Sequence, residues 1–289
     1  MNTVACEANC RVADSGGGRG CRPLARPFLK WAGGKRKLLG EIARCVPGTF
    51  GVYHEPFVGG GALFFDLEHP MSIISDANGK LITTYKAIRD DPSGVIGALG
   101  ALGAFTNTSD CYYQVRARNF SVGSPAQRAA EFIYTNRVGF NGLYRENMAG
   151  QMNVSFGRNK DPRICDAENL RAVSAALQDT GIEHDDFSGV LKRAAPGDFV
   201  YFDPPYIPVS TTSSFTSYQA GGFAYAEQVR LRDVAVELKA RRVHVLLSNS
   251  AAPMVLELYK TFEIRTVQAA RAINSRAEGR GLVQEVLIR

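Results

Sequence analysis

"EPFVGGGAL", residues 55–63, decides the fold: it follows the strand-like run "GVYH" (51–54) and leads into "ALFFDLE" (62–68). A strand read over 51–58 thus runs into glycines and gives way at once to a short helical pattern over 62–68. "SIISD" (72–76) reads as a second strand, and a helical stretch follows from Asn78 to about Arg89. Strand, glycine turn, helix, strand is the opening of a doubly wound α/β sheet. Gly59 and Gly61 stand where a ligand approaches the backbone closely at the C-terminal sheet edge. Asp76 closes the next strand, where an acid can accept both hydroxyls of a ribose. A plain tight turn would use the same glycines. A dinucleotide fold needs a small third residue in Gly-x-Gly-x-x-Gly, and Phe64 stands there, so a nucleoside without a pyrophosphate fits better.

Outward from this unit the strand rhythm stops. From about 92 to 180 apolar residues recur at helical spacing, as in "CYYQVRARNF" (111–120) and "AQRAAEFIYTNR" (126–137). Strands return at "GIEHDDF" (181–187), "DFVYFD" (198–203), "HVLLS" (244–248), "FEIRTVQAA" (262–270) and "VQEVLIR" (283–289). The expected organisation is an α/β domain over 25–91 and 181–289, interrupted by a mostly helical insert at 92–180 with a hairpin at 139–158. Residues 1–24, including "VADSGGGRG", read as a disordered extension.

The bulk numbers are those of an ordinary globular chain: 289 residues, 45% hydrophobic and 21% charged. A net charge of +6 and a pI near 9.0 mildly favour a polyanionic partner. No apolar run approaches the roughly 20 residues that span a bilayer, so no membrane association is expected. The first residues lack the apolar core of a signal peptide, so export is not expected and a cytoplasmic location is. Of the cysteines, Cys6, Cys10 and Cys21 lie in the glycine-bearing tail, and no pair forms CxxC. No HExxH occurs, so neither zinc nor any other metal is expected.

"FLKWAGGKRKLL" (28–39) sets Lys30, Lys35, Arg36 and Lys37 beside Trp31. A P-loop needs a Gly separated by four residues from Gly-Lys and a Ser or Thr after it. Leu29 and Arg36 occupy those places, so triphosphate binding fails. A solvated helix start would explain the charges but leaves Trp31 exposed at a cost.

"VYFDPPY" (200–206) is the sharpest chemical signal. Pro204 and Pro205 have no N–H, so the strand must end and the loop is stiff. Stiffness is useful if Asp203 and the Pro204 carbonyl hold one amino group at fixed angles. Bonding both hydrogens of an exocyclic amine favours a tetrahedral nitrogen and frees its lone pair. Tyr206 can then stack on the extruded base. Asp-Pro turns also close strands with no such role. "NRVGFNGLYRENMAGQMNVSFGR" (136–158) supplies context by interleaving Arg137, Arg145 and Arg158 with Phe140, Leu143 and Tyr144 among Asn136, Asn141, Asn147 and Asn153. Arginine reads guanine and asparagine adenine in the major groove, and an apolar side chain wedges between bases. Alone, that segment fits a glycine-rich hairpin equally well.

Together these segments resemble the DNA adenine-N6 methyltransferases, most closely the bacterial and phage Dam-type enzymes that act on GATC. The likeness runs from about Pro27 to Arg289. Its order is "FLKWAGGK", "EPFVGGG", "SDAN", the insert, then "DPPY", the order of the alpha group of amino-methyltransferases. "YYQVR" (112–116) and "PVSTTSSFTSYQAGGFAYAEQ" (208–228) also look Dam-like. The resemblance implies a Rossmann-like class I methyltransferase sheet with an inserted, mostly helical target-recognition domain. It implies S-adenosyl-L-methionine as cofactor, with Trp31, Lys35, Phe57, Gly59, Gly61, Asp76, Asp186, Phe187 and Asp203 around it. Lys35 would meet its carboxylate, Asp76 its ribose, and Asp186-Phe187 its adenine. Asp203, Pro204, Pro205 and Tyr206 match the catalytic motif. Lys30, Arg137, Phe140, Asn141, Leu143, Arg145 and Arg158 fall on the DNA side, with Lys30 placed for the first base pair of GATC. Ser155 replaces a usual Pro, and Phe140 a Tyr. Both bear on site preference, not on catalysis.

The expected partner is double-stranded DNA, bound by a monomer without an obligate protein partner. Cytosine-N4 methylation is the nearest alternative, but that chemistry typically carries Ser before Pro-Pro-Tyr. A catalytically silent DNA-binding homologue is the other, and every residue assigned to chemistry is present.

Overall fold

Alternation of apolar residues builds one face of a seven-stranded sheet. The computed structural model describes residues 24–31, 33–103, 107–207, 223–270 and 282–289. Most of the tail expected at 1–24, with Cys6, Cys10 and Cys21, lies outside them, as does most of the Dam-like 208–228 stretch. The strands are β1 (Tyr53–Glu55), β2 (Ser72–Asp76), β3 (Thr180–His184), β4 (Phe199–Phe202), β5 (His244–Ser250), β6 (Ile264–Ala270) and β7 (Leu282–Ile288). The helices are α1 (Leu39–Ala43), α2 (Ala62–Leu67), α3 (Gly79–Asp90), α4 (Pro92–Gly103), α5 (Ser109–Arg116), α6 (Pro125–Val138), α7 (Ala167–Ala176), α8 (Tyr225–Ala240) and α9 (Pro253–Leu258).

The sheet order is β3-β2-β1-β4-β5-β7-β6. The first five strands in that order run parallel, and β7 runs antiparallel to both β5 and β6. This is a mixed α/β architecture with a mostly parallel, Rossmann-like sheet.

The chain divides into two compact units. One holds residues 35–59, 69–79 and 180–289, and so the whole sheet; the other holds residues up to Gly34 with 60–68 and 80–179. In the sheet unit, Val200 and Phe202 of β4, Val245 and Leu247 of β5, and Val286 and Ile288 of β7 share one buried cluster with Leu231, Val234, Ala235 and Leu238 of α8. The strand residues recur at two and the helix residues at three and four, as a sheet face under an amphipathic helix requires. Each fully buried side chain of this kind contributes roughly 1.5–3 kcal/mol. Phe199, Tyr201 and then Asp203 alternate to the opposite face.

Of the strands that are shorter than their sequence patterns, β1 and β3 show the cause most plainly. β1 covers 53–55 rather than 51–58, because Pro56 has no N–H to continue the ladder. β3 stops at His184 rather than at 187. Asp186 accepts a hydrogen bond from Ser188 N at 3.0 Å and so caps a 3-10 turn over Phe187–Lys192. At the other strand end Asp198 joins β1 to β4. It accepts from Val52 N at 2.8 Å, Ala195 N at 2.9 Å and His54 Nε2 at 3.1 Å.

In the helical unit α4 packs on α6 and α7, and α5 on α6. α6 begins with a reciprocal Ser124–Gln127 capping box and Pro125. Beyond it a hairpin is bridged at Gly139–Phe156 and Glu146–Met152. Its tip is closed by Asn147 Oδ1, which accepts from Ala149 N and Gln151 N.

Candidate active site

β4 delivers Asp203 to the sheet edge, and two prolines stiffen the loop beyond it. Pro204 is buried, Pro205 exposed and Tyr206 half-buried. Lys35, from a 3-10 turn over Lys35–Lys37, places Nζ 2.8 Å from Asp203 Oδ1. Ser248 Oγ donates to the same oxygen at 2.8 Å. Tyr201 lies 3.0 Å from Ser248 Oγ. Because the serine proton goes to Asp203, the tyrosine must donate to the serine. The result is a relay, Tyr201 to Ser248 to Asp203, with both strong contacts on Oδ1. Burial, then the Asp203 charge, holds the Tyr201 phenol well above its ordinary range, so it stays a donor.

Tyr206 is held at both ends. Its hydroxyl donates to Glu285 Oε2 at 2.8 Å, and the Lys35 ammonium lies 4.4 Å from the ring centroid. Burial, followed by the charge of Asp203, also raises this phenol well above its usual range.

The loop backbone is pinned by polar side chains that are themselves buried. Gln228 Nε2 of α8 donates to Pro205 O at 2.9 Å, and Asn249 Nδ2 donates to Gln228 Oε1 at 3.1 Å. Ser250 Oγ donates to Ile207 O at 2.6 Å, and Ile207 N to Asn249 Oδ1 at 3.4 Å. Gln228 and Asn249 are both fully buried. A loop with two prolines cannot satisfy itself, so these side chains supply what the backbone lacks. None of Ser248, Asn249, Ser250, Gln228 or Glu285 stood among the residues expected from sequence. The available signal was a strand, "HVLLSNS", whose apolar pattern ends in three polar residues.

Around the glycine turn, Gly59 N donates to Asp76 Oδ2 at 3.1 Å and Asn78 N to Oδ1 at 2.9 Å. One backbone donor per oxygen orients the carboxylate and leaves each oxygen a second lone pair. Burial pushes this carboxyl upward against those two bonds. Phe57 stacks on Phe187 with centroids 5.4 Å apart and planes at 22°. Asp186 is engaged by Arg230, whose Nη1 and Nη2 donate at 2.7 and 2.8 Å, one to each oxygen. The Arg230 fork, with Ser188, holds its carboxyl far below the usual range.

Trp31 and Gly61 belong to the helical unit. Trp31 stacks on Tyr144 at 5.7 Å and 17°, and a Cβ on Gly60 would meet its own Cβ at 3.2 Å. Gly61 has φ 67°, and a Cβ there would stand 2.8 Å from the Tyr85 hydroxyl. Its need for glycine is therefore met by local packing.

In the same unit the residues expected on the DNA side divide in two. Lys30, Phe140, Asn141, Arg145 and Arg158 are exposed and Leu143 is half-buried. The Lys30 backbone is clamped by buried Asn136, whose Oδ1 accepts from Lys30 N at 2.9 Å and whose Nδ2 donates to Lys30 O at 2.7 Å. Arg145 Nε donates to Asn153 Oδ1 at 2.7 Å, across the hairpin. Arg137 instead turns inward, donating from Nε and Nη2 to Phe28 O at 3.0 and 2.6 Å.

The sequence profile of the D12 class N6 adenine-specific DNA methyltransferases matches residues 31–273. A type II methyltransferase of Lactococcus lactis subsp. cremoris, M1.LlaDCHI, is 43% identical over 269 residues, covering 91% of this chain and 94% of the relative. The DNA adenine methylase of Escherichia coli K12 is 36% identical over 263 residues, covering 91% and 94%. A DNA N-6-adenine-methyltransferase of Escherichia phage P1 is 35% identical over 265 residues, covering 91% of this chain and 35% of its own length. The family implies a DNA substrate and S-adenosylmethionine as methyl donor. No helix among the described residues is long and apolar enough to cross a membrane. A stiff acidic corner on a Rossmann-like sheet, and a family match across most of the sequence, lead to one conclusion: this chain belongs to the D12 class of N6 adenine-specific DNA methyltransferases.

Proposed function

We propose that the enzyme methylates adenine N6 within GATC in double-stranded DNA, after flipping the base, and that it works as a monomer. The observation that carries the chemistry is the convergence of Lys35 and Ser248 on Asp203 Oδ1 at the end of β4. That convergence orients the carboxylate and leaves Oδ2, which neither contact uses, to accept from the target amine.

The sheet unit suits the methyl donor. Asp76, steadied by Gly59 and Asn78, offers lone pairs to a ribose, and half-buried Phe57, backed by buried Phe187, offers an aromatic surface to a purine. We assign the methionyl end to Lys35 and Asp203. When bound, the donor supplies an electrophilic methyl on a positively charged sulfur. Asp203 and the Pro204 carbonyl accept the two N6 hydrogens, pyramidalise the nitrogen and aim its lone pair at that methyl. Tyr206 stacks on the flipped ring. On methyl transfer the Asp203 carboxylate would take the surplus N6 proton, with the C–S pair kept by the departing neutral thioether. Catalysis is positioning and electrostatics. On the DNA side we assign Lys30, Phe140, Asn141, Leu143, Arg145 and Arg158, with Arg137 as a support for Phe28.

Transfer of tritiated methyl groups into plasmid DNA tests this, followed by digestion with two nucleases that differ in tolerance of methylated GATC. Label at adenine and protection of GATC support the proposal. Label at cytosine, or adenine label outside GATC, overturns it.

A further inference from the structure

The hairpin alternates two kinds of side chain. Successive residues of an extended segment point to opposite sides. By that alternation Leu143 and Arg145 fall on one side and Tyr144 and Glu146 on the other, where the Tyr144 hydroxyl donates to Glu146 Oε1. That second side is anchored. Tyr144 stacks on Trp31, and Lys80 Nζ, on the first turn of α3, donates at 2.5 Å to both Glu146 Oε1 and Gly150 O. One ammonium therefore holds the arm and the tip of the hairpin together. It also neutralises the Glu146 carboxylate.

We infer that Lys80, acting through Glu146 and Tyr144, is a positioning residue for sequence discrimination: it fixes the height and facing of the hairpin, and so the face that Leu143 and Arg145 present to base edges. This rests on the proposed DNA-reading role of Leu143 and Arg145. Base-edge contacts discriminate only when their donors are held at fixed angles, and a wrong base then leaves those donors unpaired. Loosening the tether removes that penalty more than it removes affinity, so near-cognate sites should gain on cognate ones.

The test is long-read sequencing of plasmid DNA methylated to equal total turnover by the wild type and by Lys80→Met, Glu146→Gln, Lys80→Arg and Arg145→Ala, with thermal melting of each protein. Lys80→Met should raise near-cognate relative to cognate methylation about tenfold, the scale of one base contact. Lys80→Arg, which can bridge the same two acceptors, should restore most of the discrimination. A double variant combining Lys80→Met with Glu146→Gln, measured alongside, should be no more relaxed than Lys80→Met alone, because the Lys80–Glu146 contact is already lost in the single variant. A merely structural role would lower the melting temperature and leave the site pattern unchanged, which overturns the inference. If Arg145→Ala shifts the pattern and Lys80→Met does not, the tether alone is wrong. If neither shifts it, the DNA-reading role of the hairpin is wrong and takes the tether with it.

Discussion

The Lys35 ammonium and the Asp203 carboxylate stand 2.8 Å apart, and the lysine is the more buried of the two, 5% exposed against 20%. An ammonium so placed needs its partner: removing one member of a buried pair leaves an uncompensated charge. Asp203→Asn should therefore have two separable effects. Single-turnover methyl transfer should fall on the order of a thousandfold, as for loss of a pre-organised electrostatic contact. Stability should fall by about 1–3 kcal/mol, less than for a fully sealed pair because Asp203 is partly open to water. Binding of duplex DNA, measured by fluorescence anisotropy on protein shown to be folded, should change less than threefold or so, a difference of under 1 kcal/mol. Near-normal turnover would refute the assignment of Asp203.

Ser248→Ala removes the middle of the Tyr201–Ser248–Asp203 relay. Asp203 loses an orienting donor and the buried Tyr201 hydroxyl loses its acceptor, which together should cost about 2 kcal/mol in stability. The turnover rate should fall about tenfold, with the KM for the methyl donor nearly unchanged, since the loss is in positioning. Tyr201→Phe should be milder, because Ser248 keeps its bond to Asp203. Steady-state kinetics of the two variants decide the matter, and a larger effect from Tyr201→Phe would show the relay to be misread.

The parts of this site that are legible in sequence are those where chemistry and backbone geometry coincide. Two prolines must end a strand, so the Asp203 corner can be placed at the tip of β4 from its own residues. The β2 strand and its terminal Asp76 are equally local. The supports are not legible because their partners are distant along the chain. Gln228 meets Pro205 across 23 residues and Glu285 meets Tyr206 across 79. Lys35 lies in a run of cations that looks solvated, yet its burial is set by a carboxylate more than a hundred residues away. Arg137 sits in an arginine- and asparagine-rich stretch, and only packing shows that its guanidinium faces Phe28 O. The end of β3 escapes a reading of sequence because Asp186 can continue a strand or cap a turn, and Ser188 decides for the cap.

Gly61→Ala probes the glycine turn by two routes that can be separated. The residue lies at φ 67°, and its new methyl would press on the Tyr85 hydroxyl at 2.8 Å. Backbone strain should cost about 1–2 kcal/mol, and the contact should add to it. Combining Gly61→Ala with Tyr85→Phe should recover the contact part and leave the strain. Urea denaturation of the four proteins forms the cycle. Strict additivity would mean that the Tyr85 hydroxyl does not set the requirement for glycine.

His54 carries the pH dependence that is easiest to isolate. It is buried at β1, with Nε2 on Asp198 Oδ2. Burial pushes its imidazole below the ordinary value of roughly 6.5, and Asp198 opposes this without reversing it, while Arg193 adds a smaller downward push. With the folded value depressed, the unfolded chain binds more protons than the folded one once the pH drops below about 6.5. Stability supplied by neutral His54 is thus fully present above that point. It is lost as the pH falls toward and through the folded value. Asp198, which its hydrogen bonds hold below the usual carboxylate range despite its burial, contributes a separate loss at lower pH. The urea midpoint of the wild type should therefore decline between pH 7 and pH 5, whereas His54→Gln, which can still donate to Asp198, should decline less. If the two curves run parallel across that interval, the buried imidazole is not the group that titrates.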